Sequence, residues 1–317
     1  MTAHKRQSAG ILAALASAMF LGLTPIFGRW AILNGFSPLA VVTLRTCMAA
    51  LILLIIMAVL RPRFLYIFPV GLVGCLLAGA INGLGSLLYY MALEDLPASL
   101  GQLLYAIYPV FVALFSVLDK QPLSRLTILR VALAAMAVIF LTTTNGGLHA
   151  PLHAILMMIG AAALYALHIP INQRVLYEIP TPTVTVYTLL AMSLVTIPFY
   201  LVFDRQWPGA NVSWWPLISL TIVTVISRLT LFLGIKNIGG IQTAIIGLGE
   251  LLITIIVSYY FLDEQLTLTQ ILGAIILGIS IVLISLEKHD HQKRHPKGGW
   301  LAWIHPPEVS VPWSLQD

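Results

Sequence analysis

Ten long apolar runs, each about the thickness of a bilayer, limit what this chain can fold into. A hydrocarbon core of about 30 Å takes about 20 helical residues at about 1.5 Å rise. The runs fall at 10–33, 38–60, 65–92, 97–118, 125–144, 151–174, 182–203, 212–236, 240–262 and 267–286. They predict an all-α polytopic membrane protein with ten transmembrane helices. Composition points the same way. With 59% hydrophobic and 9% charged residues, the chain has too little polar surface to cover a water-soluble globule of 317 residues.

Several run boundaries carry helix-start or helix-stop chemistry: Ser37-Pro38, Leu96-Pro97, Thr181-Pro182 and Gly239-Gly240. His4, Lys5 and Arg6 precede an apolar run containing Ala16, Ser17 and Ala18, as in a secretory signal. That run continues to Leu33, however, which reads as a spanning helix rather than a cleaved leader. Cys47 and Cys75 both lie inside apolar runs, where they are expected to pack as small hydrophobes.

Lysine and arginine divide unevenly between alternate sides. One side collects Lys5, Arg6, Arg61, Arg63, Lys120, Arg125, Arg174, Lys236, Lys288, Lys293, Arg294 and Lys297, and the other has Arg205. The positive-inside rule then puts both termini in the cytoplasm of a cell inner (plasma) membrane. The net charge of +5 is thereby explained by topology, and a nucleic-acid partner is not expected.

The chain also repeats itself. ASAMFLGLTPIFGRW (16–30) aligns without a gap on AAALYALHIPINQRV (161–175), pairing Pro25 with Pro170 and Arg29 with Arg174. YYMALEDLPASLGQLLYAIYPVFVALFS (89–116) follows the pattern of LFLGIKNIGGIQTAIIGLGELLITIIVS (231–258) at a constant shift. Two five-helix halves result, 8–146 and 150–287, followed by a basic, Trp-rich cytoplasmic tail, 288–317. Five is odd, so the halves cross the membrane in opposite senses, an inverted repeat suited to alternating access.

Arg45 within SPLAVVTLRTCMAALILL, the 89–116 stretch, and GLGELLITIIVSYYFLDEQLTLTQILGAIILGISIVL carry a resemblance to the EamA-type ten-helix transporters of the drug/metabolite transporter superfamily. The resemblance covers about residues 8–287. It implies solute transport, usually export, through a central cavity lined by the first, third and fourth helices of each half. Family members also place a short Glu-containing turn after the fourth helix of each half. Here the second half has Asp263-Glu264, whereas the first reads Asp119-Lys120-Gln121.

Intramembrane charge marks the candidate pathway, since a charged side chain at the bilayer centre costs about 2.5 to 3.5 kcal/mol on insertion scales and so faces a partner or a wet cavity. Glu250 is the one acid deep in an apolar run; Arg29, Arg45, Arg130 and Arg228 are the matching cations. Helix rise places Glu250 roughly 15 Å and Arg228 roughly 12 Å from the same side. The two are expected to pair, either exchangeably at the cavity wall or as a static packing device. Glu250 is equally the candidate carrier of a coupling proton, a role that competes with a tight Arg228 contact. Arg45, roughly 10 Å deep with no acid opposite it, suits an anionic substrate group, or else bonds backbone carbonyls or snorkels. Arg29 and Arg174 read as gate or interface residues near opposite faces, and Arg130 as an interfacial anchor.

Uncharged candidates for substrate contact are Asn82, Gln102, Tyr105, Tyr108, His168, Asn172 and Gln173, each of which could instead be interhelical glue. The tail histidines at 289, 291, 295 and 305 match no defined metal-site spacing, and its tryptophans are expected at the membrane interface. The helices hold no Ser-His-Asp set, paired carboxylates or metal cluster that would make an enzyme, and no cofactor is expected. A GxxxxGK[ST] loop is absent as well, so the chain itself is not an ATP-driven pump. The reading is a secondary transporter of a small organic metabolite, such as an amino acid, organic anion or amphipathic compound. Its partners are the solute, the bilayer and a coupling proton or counter-substrate, with room for a homodimer. A structural or assembly membrane protein is the alternative.

Overall fold

A computed structural model describes residues 3–96, 98–120, 124–142, 151–204, 207–209, 212–262, 268–283 and 299–304. Pro97, Arg205, Asp263-Glu264, Gln121, the basic residues and histidines of the tail, and Trp313 lie outside them. Helices account for the secondary structure of the described residues. In chain order these are α1 (Ala3–Leu33), α2 (Pro38–Leu60), α3 (Pro69–Asp95), α4 (Ala98–Tyr105), α5 (Tyr108–Leu118), α6 (Arg125–Thr142), α7 (Leu152–Leu176), α8 (Thr181–Phe203), α9 (Trp215–Ile238), α10 (Gly240–Gly247), α11 (Gly249–Leu262) and α12 (Leu268–Val282). A 3₁₀ turn, Pro62–Leu65, joins α2 to α3.

Six of these, α1, α2, α3, α7, α8 and α9, are long and apolar enough to cross a membrane. Their outward faces carry large exposed apolar side chains such as Leu51, Ile55, Val59, Val202, Phe203 and Ile222. A belt of that kind suits hydrocarbon and would be a liability in water.

Local chemistry explains where the rods start and stop. Ser37 caps α2, its Oγ accepting from the Ala40 amide at 3.1 Å, with Pro38 at the first helical position. Gly239 ends α9 in a left-handed conformation, φ +88°. Pro25 and Pro170, the aligned prolines of the repeat, both lie within unbroken helices.

One expectation changes. The predicted runs 97–118 and 240–262 are not continuous helices: the first breaks at Ala106-Ile107 between α4 and α5, the second at Leu248 between α10 and α11. Pro109 accounts for the first, because it lacks an N–H and its ring clashes with the carbonyl four residues back, that of Tyr105. Gly247 and Gly249 flank the second. Applying the shift of the 89–116 repeat puts Ala106 on Leu248, so the breaks are equivalent. They also touch. The Tyr108 hydroxyl donates to the Ala244 carbonyl at 3.0 Å, and a Cβ on Gly247 would lie 2.3 Å from the Tyr108 oxygen.

Packing between the halves is interleaved. α1 lies against α9 and α11, and correspondingly α7 lies against α3 and α5; α2 meets α8, and α6 meets α12. At the face where α1 begins, here the near face, Lys236 Nζ donates to the Ile179 carbonyl at 3.1 Å and Gln173 Oε1 accepts from the Gly240 amide at 2.8 Å. At the far face, Phe27, Trp30 and Trp215 meet edge to face, with Trp30 and Trp215 centroids 5.3 Å apart.

Gly79 shows how closely the rods approach: a Cβ there would sit 2.5 Å from both the Thr188 carbonyl oxygen and the Ala191 Cβ of α8. Gly79→Val is therefore expected to destabilise the protein by about 1–3 kcal/mol through overpacking against backbone. Thermal unfolding in detergent checks this, with Gly209→Val, which among the described residues meets one side chain at 3.9 Å, as the control that leaves the midpoint in place.

Candidate functional site

The broken rods, together with α1, α2, α3, α7 and α9, enclose a cavity that holds about 520 Å³ of space free of protein atoms, part of it open to solvent. Leu21, Thr24, Arg45, Gly85, Ser86, Tyr89, Tyr90, Gln102, Tyr105, Tyr165, Thr224, Ser227, Arg228 and Glu250 line it. Two guanidinium groups, one carboxylate and four tyrosine rings thus converge on one space between apolar helices.

Glu250 occupies the first turn of α11, where free backbone amides favour a negative group. Its placement depends on α1. Gly22 lies so close that a Cβ would come within 2.6 Å of the Glu250 carbonyl, and Thr254 Oγ1 donates to the Gly22 carbonyl at 2.8 Å. Gln102, which also lines the cavity, accepts at its Oε1 from the Tyr89 hydroxyl at 3.1 Å. Glu250 Oε1 has no hydrogen-bond partner among the described residues.

The expected Arg228–Glu250 ion pair does not form. Both side chains face the cavity, yet Arg228 is held elsewhere. Asn82, with its amide oxygen turned toward the guanidinium, accepts from Nη1 and Nη2 at 3.1 Å each, and the Tyr165 ring lies 5.7 Å from Arg228 Cζ. Rotation about the two helix axes points the charges to different neighbours.

Arg45 is anchored without an acid. Its Cζ stacks 4.7 Å from the centre of the Tyr90 ring, Nη1 donates to Thr224 Oγ1 at 3.3 Å, and Nη2 reaches Ser86 Oγ at 3.5 Å. Its Nε has no partner among the described residues. Thr224 in turn donates to the Leu220 carbonyl at 2.7 Å, which turns its oxygen lone pair toward the arginine.

The tyrosines form a continuous aromatic wall. Tyr89 meets Tyr90 at 5.3 Å and Tyr105 at 5.0 Å, and Tyr105 meets Tyr165 at 5.4 Å. Such a wall offers flat apolar surface and cation-attracting faces together.

Of the residues singled out from sequence, Arg45, Gln102, Tyr105, Arg228 and Glu250 line the cavity, and Asn82 lies behind it as the support of Arg228. Tyr108 packs against Tyr105 and Tyr165 while its hydroxyl is committed to Ala244. His168 and Asn172 lie on the same face of α7 as Tyr165, progressively nearer the near face, both buried. His168 Nδ1 faces the Tyr165 carbonyl, whereas His168 Nε2 and both amide atoms of Asn172 lack partners among the described residues.

Toward the far face, Arg29 donates to the Leu93 and Glu94 carbonyls at the end of α3, the latter at 2.8 Å. Toward the near face, Arg174 forms a fully buried ion pair, its Nε donating to Asp119 Oδ2 at 2.8 Å. Arg130, expected as an interfacial anchor, is instead completely buried. Tyr89, Tyr90, Tyr165, Thr24, Ser86, Thr224 and Ser227 were not anticipated. Uncharged residues in apolar helices carry no mark of facing inward, although the tyrosines do fall in the repeated segments.

Comparison with known proteins agrees with this architecture. The model of the EamA-like transporter family matches residues 8–143 and again 152–286. An uncharacterized transporter, YcbK, of Bacillus subtilis is 25% identical over 302 residues, covering 89% of this chain and 94% of that protein. An uncharacterized transporter of Archaeoglobus fulgidus is 25% identical over 196 residues, 62% of this chain and 70% of its own. A protein of known crystal structure has the same fold, with a TM-score of 0.71 at 14% identity over 88% of this chain and 97% of that one. A matching family model over both halves of a bundle of apolar helices leaves one assignment: the chain is a multi-pass membrane protein that belongs to the EamA-like transporter family.

Proposed function

We propose that the protein is a secondary transporter that exports a small organic solute bearing a carboxylate or similar anionic group on an aromatic or amphipathic body. The observation that carries this reading is the convergence of Arg45, Arg228 and Glu250 with four tyrosines on one cavity beside the paired helix breaks. A planar guanidinium recognises a carboxylate through parallel N–H donors, and Arg45 Nε retains an unused donor. The tyrosine wall takes the apolar body. Glu250 accepts either an amino group of a zwitterionic solute or a coupling proton, and its position at a helix break between α10 and α11 is the kind of place where discontinuous helices build transporter sites.

In this reading the chain crosses the inner membrane ten times, as two inverted five-helix halves, 8–146 and 150–287, with both termini cytoplasmic. α4 with α5, and α10 with α11, each count as one span. Arg29 and Arg174, matched by the repeat, act at opposite ends: the Arg29 contact to α3 opens to the far side and the Arg174–Asp119 pair to the near side, in alternation. The near face is then cytoplasmic. A structural or assembly role would leave a cavity lined with two arginines and a glutamate unexplained.

Purified protein screened for thermal stabilisation against monocarboxylates, amino acids and amphipathic cations tests the substrate class, since a ligand of the folded state raises apparent stability by mass action. Stabilisation by an anionic or zwitterionic compound is expected. Arg45→Ala and Arg228→Ala should each weaken that binding by about 10- to 100-fold, the loss of a charge-assisted hydrogen-bonded contact. Stabilisation by cations alone, or no saturable flux of any stabilising compound in proteoliposomes, overturns the reading. Separately, Glu250→Gln is expected to retain monocarboxylate binding but to lose the acceleration of flux by an imposed pH gradient. Gradient-driven flux unchanged in that variant removes the proton-coupling role.

A further inference from the structure

The described part of the tail, Gly299–Ile304, does not lie free at the membrane interface. Leu301 and Ile304 are buried, at 0% and 3% exposure, within the same apolar core as Phe68, Val175, Leu176 and Ile179, whereas Trp300 and Trp303 point outward, half exposed. Two turn hydrogen bonds, Ala302 N to Gly299 O and Ile304 N to Leu301 O, at 3.2 and 3.1 Å, curl the segment so that the two aliphatic side chains face one way. Its seat is specific. The Leu301 amide donates to Asp119 Oδ1 at 3.2 Å, and the other oxygen of that carboxylate holds Arg174 at 2.8 Å. Gly299 has φ +91°, and a Cβ there would lie 2.5 Å from Asp119 Oδ1. Ile304 Cδ1 reaches the α3 surface at Gly74, which also abuts Val175 of α7.

The seat adjoins the near end of α7, the helix that also lends Tyr165 to the cavity. Tyr165, His168, Asn172 and Arg174 succeed one another along α7 toward the near face. The unpartnered polar atoms of His168 and Asn172 lie between the cavity lining and the Asp119–Arg174 pair. Buried polar groups without partners are costly where dry and satisfied where water reaches them. Water reaching this stretch from the near face would satisfy them, and the docked segment sits at that end of α7.

We propose that Gly299–Ile304 is an intramolecular latch that occupies a peptide-binding groove formed by α3, α5 and α7, fastens the Asp119–Arg174 pair and holds the near end of the cavity shut. Release of the latch exposes the His168–Asn172 file. The consequence for flux rests on the transport reading, but the latch itself does not, and its test needs no substrate.

Asn172→Cys in a background lacking Cys47 and Cys75 reports opening of the near end through its rate of reaction with a water-soluble maleimide, measured on detergent-purified protein. Hydrogen exchange at the 299–304 amides reports docking independently. The full chain is expected to react slowly and to protect the Leu301 amide. Ending the chain after residue 298, or introducing Leu301→Asp in the full chain, is expected to speed labelling about tenfold, the change a two-state equilibrium shows when one fully buried aliphatic side chain is lost. The synthetic peptide GWLAWI added to the shortened protein is expected to slow labelling again. An unprotected Leu301 amide overturns docking. Protection with labelling unchanged in both variants makes the segment a passive cap and overturns the latch. Loss of the folded state in both variants places the segment in the folding core and overturns it too. If the latch readouts appear while no solute moves in proteoliposomes, the transport reading fails and the latch stands.

Discussion

Inside a bilayer a chain can interrupt a helix where the freed backbone groups are covered by protein or face a wet cavity. Everything central in this molecule follows from meeting that constraint twice at one place. The break at Ala106-Ile107 and the break at Leu248 lie against each other, with the Tyr108 hydroxyl satisfying the Ala244 carbonyl and Gly247 leaving room for the phenol. Side chains next to the breaks, Tyr105 on one side and Glu250 on the other, are thereby aimed into the bundle rather than at lipid. The cavity is the space that two interrupted rods leave between the continuous ones.

The frame is near-symmetric but its chemistry is not. Extending the shift of the 89–116 repeat places Ser86 on Arg228 and Tyr108 on Glu250. One half supplies hydroxyls at positions where the other supplies charges. Arg45 likewise has no charged counterpart, its repeat position being Leu189. Duplication thus provides two equivalent sets of helices, while the charges, confined to one copy of each position, give the cavity a polarity that a symmetric site would lack. Arg29 and Arg174 are the exception, kept in both copies, and they work at the ends rather than in the middle.

How each buried arginine is accommodated also separates three uses of one residue type. Arg174 is neutralised outright by Asp119, both fully buried, a contact whose removal on either side would strand a charge. Among the described residues Arg228 has no acid beside it and directs Nη1 and Nη2 at an amide oxygen. Arg45 rests on an aromatic ring and two hydroxyls, neutral partners that hold the guanidinium in place without cancelling it. The last two are the ones that line the cavity.

Sequence by itself determined the class of fold, the membrane environment, most helix limits and the duplication. All of these follow from one-dimensional quantities: run length against bilayer thickness, proline and glycine punctuation, and 1.5 Å of rise per residue. Even the helix breaks had a local mark, Pro109 and the pair Gly247 and Gly249, which a hydropathy run alone passes over. Tertiary structure decided what lies beside what. Glu250 and Arg228 share a cavity but not a contact, because azimuth around a helix axis is set by packing against neighbours, here α1 at Gly22 and α3 at Asn82. Arg130 is buried rather than anchored at a surface, four tyrosines form one wall from three separate helices, and Leu301 and Ile304 return to the core from a segment whose composition reads as tail. None of these has a local signature, since in an apolar helix a side chain facing lipid and one facing a neighbour can be the same residue; the difference is made by the second helix.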